Sequence, residues 1–152
     1  MTKYEDFVQR ELQGRLAPGE PIVHMAFLSN KSLAGMVLSG GLLGAALSRS
    51  TLEDGYFLAA ATDRRLLLIK IKPGLFSFKR ENQGIVELPY QDIANIEPGG
   101  ALNQRTVKFI MRDGSTLPFR LNTLAKLTAG QKTFVASLPG YVAAWNGQRR
   151  SA

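Results

Sequence analysis

Residues 55–71 read GYFLAAATDRRLLLIKI, and their interpretation decides the fold. Tyr56 to Ala61 and Arg65 to Ile71 are short apolar runs separated by Thr62-Asp63-Arg64. Asp63 can accept backbone N–H bonds in a turn, and Thr62 can do so more weakly. The stretch therefore reads as two strands joined by a tight turn. The run after Arg65 is unbroken in its apolar character, which implies burial on both faces. Alternation places Leu67, Ile69 and Ile71 on one of those faces.

The chain downstream continues the pattern. Pro73-Gly74 breaks the second strand, Phe76 and Phe78 start another, and Asn82-Gln83-Gly84 turns into Ile85 to Leu88. Asp92 to Glu97 is short and ends at Pro98-Gly99-Gly100. In Arg105 to Met111, Val107, Phe109 and Met111 share a face. Asp113-Gly114 is the two-residue signal for a hairpin, and Leu117, Phe119 and Leu121 share a face in the next strand. Pro118 cannot donate to a ladder and marks an edge or a bulge. From Leu124 to Trp145 one apolar stripe persists at helical spacing across Pro139-Gly140. This predicts one kinked helix or two abutting ones, with Thr128 and Gln131 as a capping box for a start near 129.

Upstream, Thr2 and Glu5 form a capping-box pair, and Tyr4, Phe7, Val8 and Leu12 fall on one helical face. Residues 22–28 (IVHMAFL) read as a strand. Leu33 to Leu47 (LAGMVLSGGLLGAAL) fits neither period, and its four glycines weaken a helix by about 1 kcal/mol each. It reads as an insertion, 33–50, between two strands. As a helix it would span roughly 22 Å, against a hydrocarbon core of about 30 Å.

Composition supports a single globular domain over 1–152. The chain has 45% apolar and 20% charged residues and no cysteine, so disulfides and thiolate chemistry are excluded. Mixed charges in residues 1–12 do not read as a signal peptide. The net charge of +7 is uneven. Residues 1–55 hold five Lys/Arg against six Asp/Glu, and the remainder fourteen against six. Such a field favours anionic partners.

The succession LAPGEPIVH (16–24), GYFLAAATDRRLLLIK (55–70), IVELPYQDIANIE (85–97), a DG hairpin and a terminal helix with the only tryptophan resembles bacterial pleckstrin-homology-like and GRAM-like domains. Two elements are similar: the turn Thr62-Asp63-Arg64-Arg65-Leu66, and Pro89-Tyr90-Gln91-Asp92-Ile93 leading into the next strand. The resemblance covers 16–146. It implies a mainly β fold with flanking helices: a seven-stranded antiparallel barrel capped by the C-terminal helix, against which Trp145 packs, plus a short N-terminal helix. It also implies a phosphoinositide-type ligand held by basic residues on the first hairpin. Here, however, the connection 29–55 holds only Lys31 and Arg49 as cations.

The cations cluster instead at Arg64, Arg65, Lys70, Lys72, Lys79 and Arg80, with no acid from 64 to 80. These six are the candidate anionic-ligand patch, with the last four flanking Pro73-Gly74. The competing reading is a solvated face in which Phe76 and Phe78 belong to the core. The second candidate is an interaction segment, Leu38, Leu42 and Leu43, in the apolar insertion. Catalysis has no support. His24 is the only histidine, and no metal-ligand or phosphate-loop spacing is present. Nucleic acid is disfavoured because the aromatics align with apolar faces. The expectation is therefore a non-catalytic module without cofactor or metal. It would be cytoplasmic and would attach to anionic lipid at the inner face of the membrane. The alternative is a protein-interaction or homo-oligomerisation module.

Overall fold

The computed structural model describes residues 2–30, 55–73, 78–101, 104–122 and 128–151. The insertion 33–50, with Leu38, Leu42 and Leu43, lies outside the described residues, as does Phe76.

Helix α1 spans Lys3–Leu12. Its N-terminus forms the capping box read from the sequence: Glu5 N–H donates to Thr2 Oγ1 (3.1 Å) and Thr2 N–H to Glu5 Oε1 (2.9 Å). Tyr4, Phe7, Val8 and Leu12 are buried.

Among the described residues eight strands follow: β1 Ile22–Ser29, β2 Tyr56–Thr62, β3 Arg65–Pro73, β4 Phe78–Lys79, β5 Ile85–Pro89, β6 Ile93–Ala101, β7 Gln104–Met111 and β8 Thr116–Asn122. Helix α2, Phe134–Ser151, ends the described chain and runs through Pro139 as one helix. The antiparallel sheet has the order β4-β3-β2-β1-β8-β7-β6, with β5 also on β3. Strand β6 runs through Pro98 and both glycines that were expected to end it.

The expected closed seven-stranded barrel is corrected to an open eight-stranded sheet. The eighth strand is the two-residue β4. The opening lies between β5 and β6, which are joined by a 3₁₀ turn at Tyr90–Asp92 and do not pair. Tyr90 fixes this corner, because its fully buried hydroxyl donates to Thr62 O (2.7 Å) and Asn146 Nδ2 of α2 donates to its carbonyl (3.3 Å). A helix, rather than a strand pair, therefore faces the gap.

The sheet carries a core on each side. Leu66, Leu68, Phe57, Ala59, Val107, Phe109, Leu117 and Phe119 meet Phe134, Leu138 and Val142 of α2 in one cluster, against which Trp145 packs partly buried. Residues from both ends of the sheet share that cluster, so the sheet curls around it. On the opposite side α1 packs against Met25, Phe27, Leu58, Ala60, Leu67, Ile69 and Ile71. The unbroken apolar character of β3 follows from this two-sided cover.

Among the described residues β1 meets β8 at one pair, Ser29 with Arg120. That register would bring Phe27 opposite Asn122, but a side-chain amide stands between them. Gln131 Oε1 accepts from Phe27 N (2.7 Å), and its Nε2 donates to Phe27 O (2.9 Å) and to Asn122 O (3.0 Å). Thr128 Oγ1 donates to Met25 O (3.1 Å). The pair expected to cap a helix near 129 thus stitches the sheet instead, and α2 begins at Phe134. Pro118 sits opposite Lys108 of β7.

His24 lies half-buried between β1 and α2. Its Nε2 bonds Gly130 O (2.9 Å) and its Nδ1 the Tyr141 hydroxyl (3.0 Å). A carbonyl can only accept, so Nε2 carries a proton toward Gly130 O. A Cβ at Gly130 would fall 2.5 Å from His24 Cδ2 and 2.9 Å from Met25 O. Gly130→Ala is therefore expected to cost about 1–3 kcal/mol, read from the urea midpoint at unchanged slope.

Candidate anionic-ligand site

The structure divides the six expected cations into two groups. Arg65, at the start of β3, is consumed by an internal network. Its Nε donates to Glu20 Oε2 (2.9 Å), and Nη2 to Glu20 Oε1 (2.7 Å) and Arg15 O (2.7 Å). Its Nη1 donates to Glu87 Oε2 (2.9 Å). The Glu20 side chain is fully buried and also accepts from Ala17 N (2.9 Å) and Thr62 Oγ1 (2.7 Å). Burial pushes the Glu20 carboxyl up. The hydrogen bonds from Arg65, Ala17 and Thr62, with the Arg65 charge, outweigh it and hold the carboxyl below its ordinary value. Arg64 is turned to Asp63, with Nε 2.9 Å from Oδ1, while its guanidinium lies 5.4 Å from the Trp145 ring centroid. That contact pins the far part of α2 to the β2–β3 turn. Both guanidinium groups are thus already engaged by carboxylates.

The other four lie at the opposite end of the hairpin. Leu66 and Leu68 face the main core, and by alternation Lys70 and Lys72 continue that face past its edge. Lys72 stands directly opposite Lys79 in the β3–β4 ladder, so their side chains share a face. Phe78 alternates to the α1 side, where it packs against Phe27 (centroids 4.6 Å) and Tyr56 (4.9 Å). The core reading of Phe78 therefore holds. Lys72, Lys79 and Arg80 are exposed, and Lys70 is half-buried, with its stem across Gly55.

Two backbone pairs shape the place where these cations emerge. Lys70 N donates to Gly84 O and Gln83 N to Lys70 O, both at 2.9 Å, tying β3 to the 82–84 turn. Gly55 N donates to Asn30 Oδ1 (2.7 Å) and Asn30 N to Gly55 O (3.1 Å). A Cβ at Gly55 would fall 2.7 Å from Lys70 Cε, so the lysine stem lies directly over this glycine.

Like charges directly opposed across a ladder destabilise it, and an anion seated between them relieves the repulsion. The arrangement can therefore bind an anion. Among the described residues no group of three His, Cys, Asp or Glu side chains could hold a metal ion, and no helix is long and apolar enough to cross a membrane.

Sequence reasoning missed Glu20, and it gave Gln131 a helix cap rather than its place between β1 and β8. Glu20 is 45 residues from Arg65, and only the polarity of a glutamate between two prolines hinted at a role.

No family model matches the chain, and no curated protein matches it. Among solved structures, the hSac2 domain from human phosphoinositide phosphatase Sac2 is similar. The TM-score is 0.51 at 10% sequence identity, covering 95% of this chain and 82% of that chain. The likeness is one of fold.

Proposed function

We propose that the chain is a non-catalytic binding module of the pleckstrin-homology/GRAM-like kind, attaching weakly to anionic lipid surfaces through Lys70, Lys72, Lys79 and Arg80. The observation that carries this reading is the direct opposition of Lys72 and Lys79, an arrangement that costs the free protein and favours a bound anion. The antiparallel strand order and the terminal helix on the sheet opening support the family reading. The fold likeness to a domain of a phosphoinositide phosphatase is consistent with it. Each basic residue near an acidic membrane contributes about 1 kcal/mol.

Co-sedimentation with phosphatidylcholine vesicles, with and without phosphatidylglycerol, tests the proposal. The chain is expected to pellet only with the acidic vesicles. Lys72→Glu with Lys79→Glu should weaken that binding about tenfold or more, while Arg64→Ala leaves it unchanged. Equal binding to neutral vesicles, or none to either, overturns the reading. A companion effect separates function from folding. Lys79→Glu alone should raise the thermal midpoint by about 2 °C at low salt, because it replaces a repulsive ladder pair by an attractive one.

A further inference from the structure

The gap in the sheet is itself a shaped surface. A groove of about 320 Å³ runs between β6 and α2, lined by Ile93 to Ile96 and Arg112 on one side and by Pro139, Val142, Ala143, Asn146 and Gly147 on the other. Successive residues of a strand point to opposite faces. A groove touched by four consecutive strand residues therefore meets the strand along its edge rather than on a face. Among the described residues no strand pairs with that edge: β6 is the last strand in the order and only β7 pairs with it, while at its start Ile93 N–H is bonded to Tyr90 O. A break in register between Ile93 and Asn95 leaves Ala94 without a partner on β7, as in a bulge. An open edge presents a row of N–H and C=O groups at the spacing of a β ladder, which an extended polypeptide matches.

The opposite wall fits such an occupant. Ala143 and Gly147 are one helical turn apart, so they present little bulk and allow a backbone to lie close. Asn146 is held in place by its bond to Tyr90 O. Arg112 closes one side with a fixed charge, because its Nε donates to the Gln91 carbonyl (2.6 Å). Among the described residues no carboxylate pairs with it, and the exposed Asp92, whose carbonyl accepts from Arg112 N (2.8 Å), forms no ion pair with its guanidinium. A guanidinium positioned this way suits a carboxylate in a two-pronged contact.

We propose that this groove binds an extended peptide segment of a partner protein. The segment would add as a strand to Ile93–Ile96, set small or apolar side chains against Ala143 and Gly147, and place an acidic residue at Arg112. This site is at the α2 end of the sheet and is independent of the lysine cluster, so failure of either leaves the other standing.

The test is a selection of random twelve-residue peptides displayed on phage against the full chain, with Ala143→Trp as counter-target. Ala143 is exposed, so tryptophan there fills the groove without entering the core. An unchanged thermal midpoint and unchanged Trp145 emission in an Ala143→Phe variant verify folding. Enriched peptides are expected to alternate apolar residues with Asp or Glu. In fluorescence polarisation they should bind the wild type at least tenfold more tightly than Ala143→Trp or Arg112→Glu, and they should shift the amide resonances of Ala94 and Ile96. Selection of nothing above the filled variant, or of peptides that bind both variants equally, overturns the proposal. So does a dimer of the free chain that Ala143→Trp dissociates, which would assign the edge to a second copy.

Discussion

Replacing Glu20 by leucine is expected to destabilise the chain by about 3–5 kcal/mol, lowering the thermal midpoint by about 10 °C. The loss comes less from the missing attraction than from the guanidinium left behind. Arg65 is mostly buried, with 17% side-chain exposure, and would keep only Glu87 and a main-chain carbonyl. Ala17 N–H would lose its acceptor as well, and the Thr62 hydroxyl would keep only the longer bond to Arg65 O (3.2 Å). Replacing both partners, Glu20→Leu with Arg65→Met, should recover most of the loss, because no buried charge then remains. A double variant as unstable as the single one contradicts this account.

The same pair predicts a pH dependence. The folded Glu20 carboxyl titrates below its ordinary, unfolded value, held down by the Arg65, Ala17 and Thr62 hydrogen bonds against the upward push of burial. The unfolded chain therefore binds the proton first on acidification. Stability from this group is complete above the unfolded value and is lost as pH falls through the folded one. Midpoints measured from neutral to about pH 3 should fall more steeply for the wild type than for the double variant.

Gln131→Leu is expected to cost about 3 kcal/mol, again near 10 °C in midpoint. The amide satisfies Phe27 N, Phe27 O and Asn122 O where β1 and β8 fail to pair. Leucine fills the space and removes all three of these hydrogen bonds. Gln131→Glu distinguishes hydrogen bonding from packing. At neutral pH its second oxygen would face two carbonyls, so it should be worse than leucine. Acidification should narrow the difference, since a protonated acid can again donate. Thermal scans of the three proteins at two pH values read this directly.

Local signals in the sequence were legible wherever a short pattern has a short cause. The Thr2–Glu5 capping box, the Asp113-Gly114 hairpin, and the shared faces of Val107, Phe109 and Met111 and of Leu117, Phe119 and Leu121 all appear in place. Two-sided burial of β3 was readable from its unbroken apolar run, though not that α1 supplies one side. What escaped was decided by partners distant in sequence. Arg64 and Arg65 looked like part of one basic patch because Glu20 and Trp145 lie 45 and 81 residues away, a separation no periodicity reports. Thr128 and Gln131 have the spacing of a cap, and the same two side chains serve as well in a gap between strands. Closure of the sheet depends on whether β5 and β6 pair across a three-residue corner, and nothing in their composition settles that.

The apolar run of β3 leaves it without a hydrophobic frame of reference. Leu66, Leu67, Leu68 and Ile69 are all fully buried, so sliding the strand one place past β2 exchanges leucine for leucine on either side. Only the ends resist such a slip. Moving by one position would carry Arg65 out of reach of Glu20 and drive Leu66 against a carboxylate, while Lys70 would turn inward toward α1. The buried ion pair therefore acts as an indexing pin, fixing which of several equally greasy alignments the hairpin adopts.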